Sequence, residues 1–238
     1  LVTACFPKGL TSWGNHMKNL IWLILLSFTV PVFALDLLQY GQVAQEQWAP
    51  ANYPNDFKYD VLYYQPNSLR GKNNSNVLVF LHGGGASTMT RTGALNVSKS
   101  YINGLKTIAD SLGFALIVPS SSSLNWGGHT RVMLEAMAQE LKHDKRFNPK
   151  KIGLSGHSMG GMGITRSFYW LADDFAFFLP TAAGMDPKHA TKENLVALFN
   201  TRYVHQQGLN DHFQVFVERS RNQEAKVKEL EDEMGLSS

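Results

Sequence analysis

Alternating short apolar runs and helical stretches predict an α/β protein, a mostly parallel sheet with helices on both faces. Three observations carry that expectation. Continuous apolar runs at 77–81 (VLVFL) and 114–118 (FALIV) suit strands covered on both sides. Between such runs, 101–112 and 130–144 repeat apolar residues at helical spacing. The composition, 44% hydrophobic and 17% charged over 238 residues, is that of a globular chain whose whole length one such domain can use.

The domain is expected to follow an address. Residues 17–34 read MKNLIWLILLSFTVPVFA. Met17 and Lys18 make a positive start, 20–30 is an uncharged apolar run short for a bilayer span, and Val32-Phe33-Ala34 offers small residues at cleavage spacing. This predicts a signal peptide cleaved after Ala34, hence a secreted or periplasmic protein with no stable membrane span afterwards. An uncleaved, membrane-anchoring helix is the alternative. Residues 1–16 then lie upstream of the start and are expected to be a non-native extension.

Lys8 and Lys18 precede the first acidic residue, Asp36, so the remainder carries 20 basic against 19 acidic side chains. Neither that balance nor any basic stripe with interleaved aromatics points to nucleic acid. Cys5 is the single cysteine, which excludes disulfides and cysteine-ligated zinc downstream.

Residues 35–57, of mixed polarity with two prolines, read as an irregular lead-in to a domain over 58–238. A strand is expected at 59–64, ended by Pro66, then a turn at 70–76 (RGKNNSN) and the strand 77–81. The helix 101–112, with Ile102, Leu105, Ile108 and Leu112 as its apolar positions, stops at Gly113. Pro119 ends the strand 114–118, and SSSSLNWGG is loop. Met133, Met137 and Leu141 mark one face of the helix 130–144. A short strand at 151–154 leads to a helix over 158–171, with further strands at 175–179 and 203–205. A last helix runs from His212 to a terminal glycine, Gly235.

Gly156-His157-Ser158-Met159-Gly160 fits G-x-S-x-G between a strand and a helix. That pattern makes a tight turn with the serine at a strained position, glycines where side chains would collide, and the hydroxyl projecting above the sheet edge. The next N–H, that of Met159, lies at a helix N-terminus and favours a developing oxyanion. A second glycine-rich turn, LHGGG, follows the strand 77–81 directly. Serine is a weak nucleophile until a histidine takes its proton and a carboxylate orients that histidine.

LVFLHGGG, ALIVPS, FNPKKIGLSGHSMGG and VHQQGLNDHF together resemble the α/β-hydrolase superfamily over about residues 58–235. Within it they look most similar to secreted esterases of the polyhydroxybutyrate-depolymerase and feruloyl-esterase type, or to prolyl-oligopeptidase-like hydrolases. The resemblance implies Ser158 as nucleophile and Met159 and Gly84 (or a neighbouring glycine) as oxyanion donors. It implies Asp211, in GLND after 203–207, as the acid, with Asp186 in AAGMDP as the rival. Either aspartate could equally be a turn residue bonding its own backbone. Carboxylic esters, small or polymeric, are the implied substrates, with no metal or cofactor; a serine peptidase and a non-catalytic binding protein are the alternatives.

The order Ser, Asp, His puts the base last, yet no histidine follows His212. The expectation is therefore an α/β-hydrolase domain truncated at its C-terminus, its last strand and histidine missing and its activity largely lost. Among the histidines present, His157 is expected to point away from the serine and His82 to brace the glycine turn. His212 is too close to Asp211 in sequence to form the line. His129 in NWGGHT is the least implausible substitute, and Asn125 and Trp126 are either pocket lining or loop packing.

Overall fold

In a computed structural model, six strands form one sheet in the order β1-β2-β4-β3-β5-β6. The structure describes residues 39–49, 58–85, 88–122, 126 and 130–236. The proposed extension and signal peptide (1–34), Asn125 and His129 lie outside these residues. The strands are β1 (Val43–Trp48), β2 (Tyr59–Tyr64), β3 (Ser75–Leu81), β4 (Phe114–Ser120), β5 (Phe147–His157) and β6 (Phe177–Thr181). β2 runs antiparallel to both its neighbours, β1 and β4. β4, β3, β5 and β6 run parallel.

The helices are α1 (Arg91–Leu112), α2 (Thr130–His143), α3 (Met159–Leu171), the short α4 (Lys192–Leu195) and α5 (Gln214–Glu233). Successive strand residues face opposite sides, so β2, β3 and β4 each feed two cores. On one face Leu62, Tyr64, Phe80, Leu116 and Val118 pack with Ile102 and Ala109 of α1. On the other, Val61, Tyr63, Val79, Leu81, Ile117 and Leu154 pack with Met133, Met137 and Leu141 of α2 and Ile164 and Phe168 of α3. This double burial is why the strands read as unbroken apolar runs. Each fully buried aliphatic side chain here contributes roughly 1.5–3 kcal/mol.

Several expectations need correction. The lead-in 35–57 contains a strand, β1, whose VAQEQW sequence carries little apolar signal because it is an edge strand with only Trp48 buried. α1 begins ten residues earlier than its apolar spacing suggested, capped by Thr90, whose hydroxyl accepts from Gly93 N–H at 3.0 Å. Its buried face is Ala94, Ser98, Ile102 and Ala109, and Ile108 and Leu112 are exposed. β4 runs on through Pro119 to Ser120, and β5 starts at Phe147. The stretch 203–206 forms two parallel bridges to β6, Phe178↔Tyr203 and Thr181↔Gln206, not a full strand. Among the described residues no helix is long and apolar enough to cross a membrane.

Candidate active site

Ser158 follows β5 and caps α3 with φ 52° and ψ −113°, outside the regions open to ordinary L-residues. Such a conformation costs on the order of 1–3 kcal/mol and must be imposed by its surroundings. The surroundings are tight. Ser158 N–H donates to the Thr181 carbonyl at 2.9 Å, tying the turn to the end of β6. A Cβ at Gly156 would lie 2.7 Å from the Gly160 carbonyl carbon, and one at Gly160 would overlap the Leu81 carbonyl. The first turn of α3 is thus pressed onto the ends of β3 and β5, and only glycine fits at both positions. The serine hydroxyl makes no hydrogen bond among the described residues, and the side chain is partly exposed.

Met159 is the first residue of α3, with its side chain buried. Its N–H belongs to the helix-terminal group that has no partner within the helix. The neighbouring glycine turn, His82–Gly85, leaves the end of β3. His82 is fully buried: its Nδ1 lies 2.8 Å from the Gly83 carbonyl and its Nε2 accepts from Ser121 N–H at 3.0 Å. Burial holds the imidazole below its ordinary pKa, so it is neutral, with its proton on Nδ1. Trp126 donates from Nε1 to the His82 carbonyl at 2.9 Å and packs on the imidazole, so it braces the turn from beneath. Beside it, Thr88 hydrogen-bonds the Gly85 carbonyl at 2.9 Å and fills the space a Cβ on Gly84 would need.

Asp211 stands beyond the 203–206 stretch. Gln206 pairs with β6 through Gln206 N–H to Pro180 O (3.1 Å) and Ala182 N–H to Gln206 O (2.9 Å). That places the loop carrying Asp211 on the same C-terminal sheet edge as Ser158. Its carboxylate accepts from Phe213 N–H (2.9 Å) and from Gln207 Nε2 (2.9 Å). The Phe213 N–H is the main reason its pKa lies below the usual value, and the nearby His157 adds to the effect. Asp186, after β6, is engaged elsewhere: it accepts from Lys188 N–H (3.2 Å) and faces Arg219 of α5 at 3.6 Å.

None of the described histidines reaches the serine hydroxyl. His82 is committed to its turn. His157 shares a 2.8 Å hydrogen bond with Tyr101. His143 bonds the Gln139 carbonyl on α2, and His205 lies beside Ser220 of α5. His189 sits in the turn after Asp186. His212 is 84% exposed, 3.8 Å from Asp211. The Tyr101–His157 contact was not foreseen, because the two residues lie 56 apart in the chain and share no motif. Among the described residues there is no group of three or more His, Cys, Asp or Glu side chains able to hold a metal ion.

The sequence matches no protein family model and no curated protein. The structure is similar to that of a thermostable esterase, with TM-score 0.59 and 16% identity, covering 79% of this chain and 52% of that one. The chain thus spans about half the length of that esterase. It is also similar to poly(aspartic acid) hydrolase-1 from Sphingomonas sp. KT-1 (TM-score 0.63, 15% identity, 83% and 89% covered). A ferulic acid esterase gives TM-score 0.55 at 12% identity, with 82% and 87% covered. With its strand order, its strained serine turn after β5 and its glycine turn after β3, the chain has the α/β-hydrolase fold.

Proposed function

We propose that this chain is the catalytic domain of a secreted serine hydrolase that cleaves carboxylic esters, with Ser158 as nucleophile. The observation that carries the reading is Ser158 itself: φ 52°, a hydroxyl with no hydrogen bond among the described residues, and a helix N-terminus behind it. A serine that merely turned the chain would have no need of that strain. The names of the structural neighbours, an esterase, a ferulic acid esterase and a poly(aspartic acid) hydrolase, all describe acyl transfer.

In the first step Ser158 Oγ attacks the ester carbonyl and its proton passes to a histidine. The N–H groups of Met159 and Gly84 hold the oxyanion, each worth roughly 3–4 kcal/mol. The C–O bond to the alcohol breaks, the alcohol leaves with the proton from the histidine, and water repeats the sequence to release the acid and restore Ser158. Asp211 orients the histidine. Among the histidines of this sequence, His129 is the candidate base. Removing the base from such a site leaves only what binding and the oxyanion donors supply, about 10³–10⁴-fold over water. Residues 17–34 direct export.

The test is hydrolysis of p-nitrophenyl esters and feruloyl esters, beside peptide p-nitroanilides, by the protein expressed from its complete coding sequence. The reading expects ester turnover that Ser158→Ala abolishes. Turnover of peptides alone would make it a peptidase. Binding without turnover of either would make it a non-catalytic member of the fold.

A further inference from the structure

The last paired residues of β3 and β5 are Leu81 and Gly156. Beyond them the strands give way to the two turns of the candidate site, and backbone pairing no longer fixes the spacing between those turns. A side chain from α1 stands at that point. The ring of Tyr101 packs on Phe80 of β3, centroids 5.1 Å apart, which anchors it at the foot of the glycine turn. Its hydroxyl lies 2.8 Å from His157 Nδ1, on the residue immediately before Ser158. The same hydroxyl lies against the Gly83 backbone. The Gly83 carbonyl already faces His82 Nδ1 at 2.8 Å, which leaves the Gly83 N–H as the group that can meet the phenol.

Space at this junction is fully used. A Cβ on Gly83 would lie 2.8 Å from the Tyr101 hydroxyl and 3.0 Å from both His157 Nδ1 and the His157 carbonyl. The phenol therefore fills the gap between the two turns, with no room for a side chain between them.

We propose that Tyr101, acting through His157, is a positioning residue of the serine site: its hydroxyl ties the Gly83 backbone to His157 and so sets the spacing between the glycine turn and Ser158. The proposal rests on the reading of Ser158 as nucleophile and of the glycine turn as an oxyanion donor. Its geometry can be tested independently of turnover. Burial keeps the Tyr101 phenol protonated through neutral pH, so its O–H is retained in the bond it shares with His157 Nδ1.

The experiment compares wild type with Tyr101→Phe, His157→Leu and His157→Gln in the full-length protein. Tyr101→Phe keeps the ring on Phe80 and removes only the hydroxyl; His157→Gln keeps an acceptor, and His157→Leu does not. Amide hydrogen exchange at Gly83 is expected to quicken about five- to tenfold in Tyr101→Phe, the loss expected for one hydrogen bond. His157→Leu should also quicken it, and His157→Gln should restore slow exchange. On p-nitrophenyl acetate, kcat should fall about ten- to a hundredfold in Tyr101→Phe with KM within about twofold, because the misplaced donor acts on the transition state. Unchanged Gly83 exchange in Tyr101→Phe would overturn the proposal, as would quickened exchange with unchanged kcat. Fluorophosphonate labelling of wild type checks the underlying reading separately. Failure to label Ser158 while Gly83 shows the predicted exchange pattern would sink the hydrolase reading and leave the tie between the turns standing.

Discussion

Ser158 is forced into its strained conformation from both sides, by the Thr181 carbonyl that takes its N–H and by the Gly156–Gly160 contact beneath it. This is why the serine was legible from five residues: the glycines are a steric requirement of the turn, and a steric requirement shows in the sequence. The acid was only half legible, since two aspartates follow turns on the correct side of the sheet. The structure separates their surroundings. Asp186 faces a guanidinium on α5, whereas Asp211 is held by a backbone N–H and an amide and lies near enough to His157 for their charges to interact. We expect Asp211→Asn to lower kcat by about 10⁴-fold with the protein still folded, and Asp186→Asn to leave it within about tenfold. The reverse ranking, read from steady-state kinetics of both variants, would transfer the role to Asp186. Tyr101 and His157 were not legible at all, because no local pattern announces a hydrogen bond between a helix and a distant turn.

At the scale of elements, the part of the fold most hidden in the sequence is β1, an edge strand of alternating polar residues. It is held by its last residue. Trp48 is buried and donates from Nε1 to Glu140 Oε2 on α2 at 2.9 Å. Nearby, Glu46 accepts from the Tyr63 hydroxyl at 2.7 Å. Burial pushes Glu140 up to about 7, with the Trp48 bond opposing and the Glu46 charge reinforcing the rise. A carboxyl whose folded pKa exceeds its ordinary 4.5 contributes most below that value, and its contribution is lost as pH rises through about 7. Glu140→Gln keeps an acceptor for Trp48 and removes the ionisation. It is expected to raise Tm at pH 8 by about 2–4 °C, some 1 kcal/mol after allowing for the residue's partial exposure. At pH 5 it should change little; equal effects at both pH values, measured by calorimetry, would contradict this account. α1 shows the opposite kind of concealment. Of its first ten residues only Ala94 and Ser98 are buried, and such small side chains let the helix approach the sheet closely, which hydrophobic spacing does not register.

For the whole molecule, β3 and β4 were legible because burial on both faces leaves an apolar run that needs no partner to be recognised. β2 is also buried on both faces and was visible as a loosely alternating run ended by Pro66, whereas β1, with only Trp48 buried, lies outside that logic. The 203–206 stretch was visible as a short strand, although it meets β6 through two bridges only. Sheet order, helix placement and both turns converge on one edge, where β3 supplies the glycine turn, β5 the serine and the segment beyond β6 the carboxylate. The central claim is that this edge activates Ser158. The most direct measurement is mass spectrometry of the native, full-length protein after brief exposure to a fluorophosphonate. The account predicts one adduct, formed with loss of fluoride, on the peptide containing Ser158, and none after heat denaturation. An unmodified Ser158 in the folded protein, or an adduct on another residue, would contradict it.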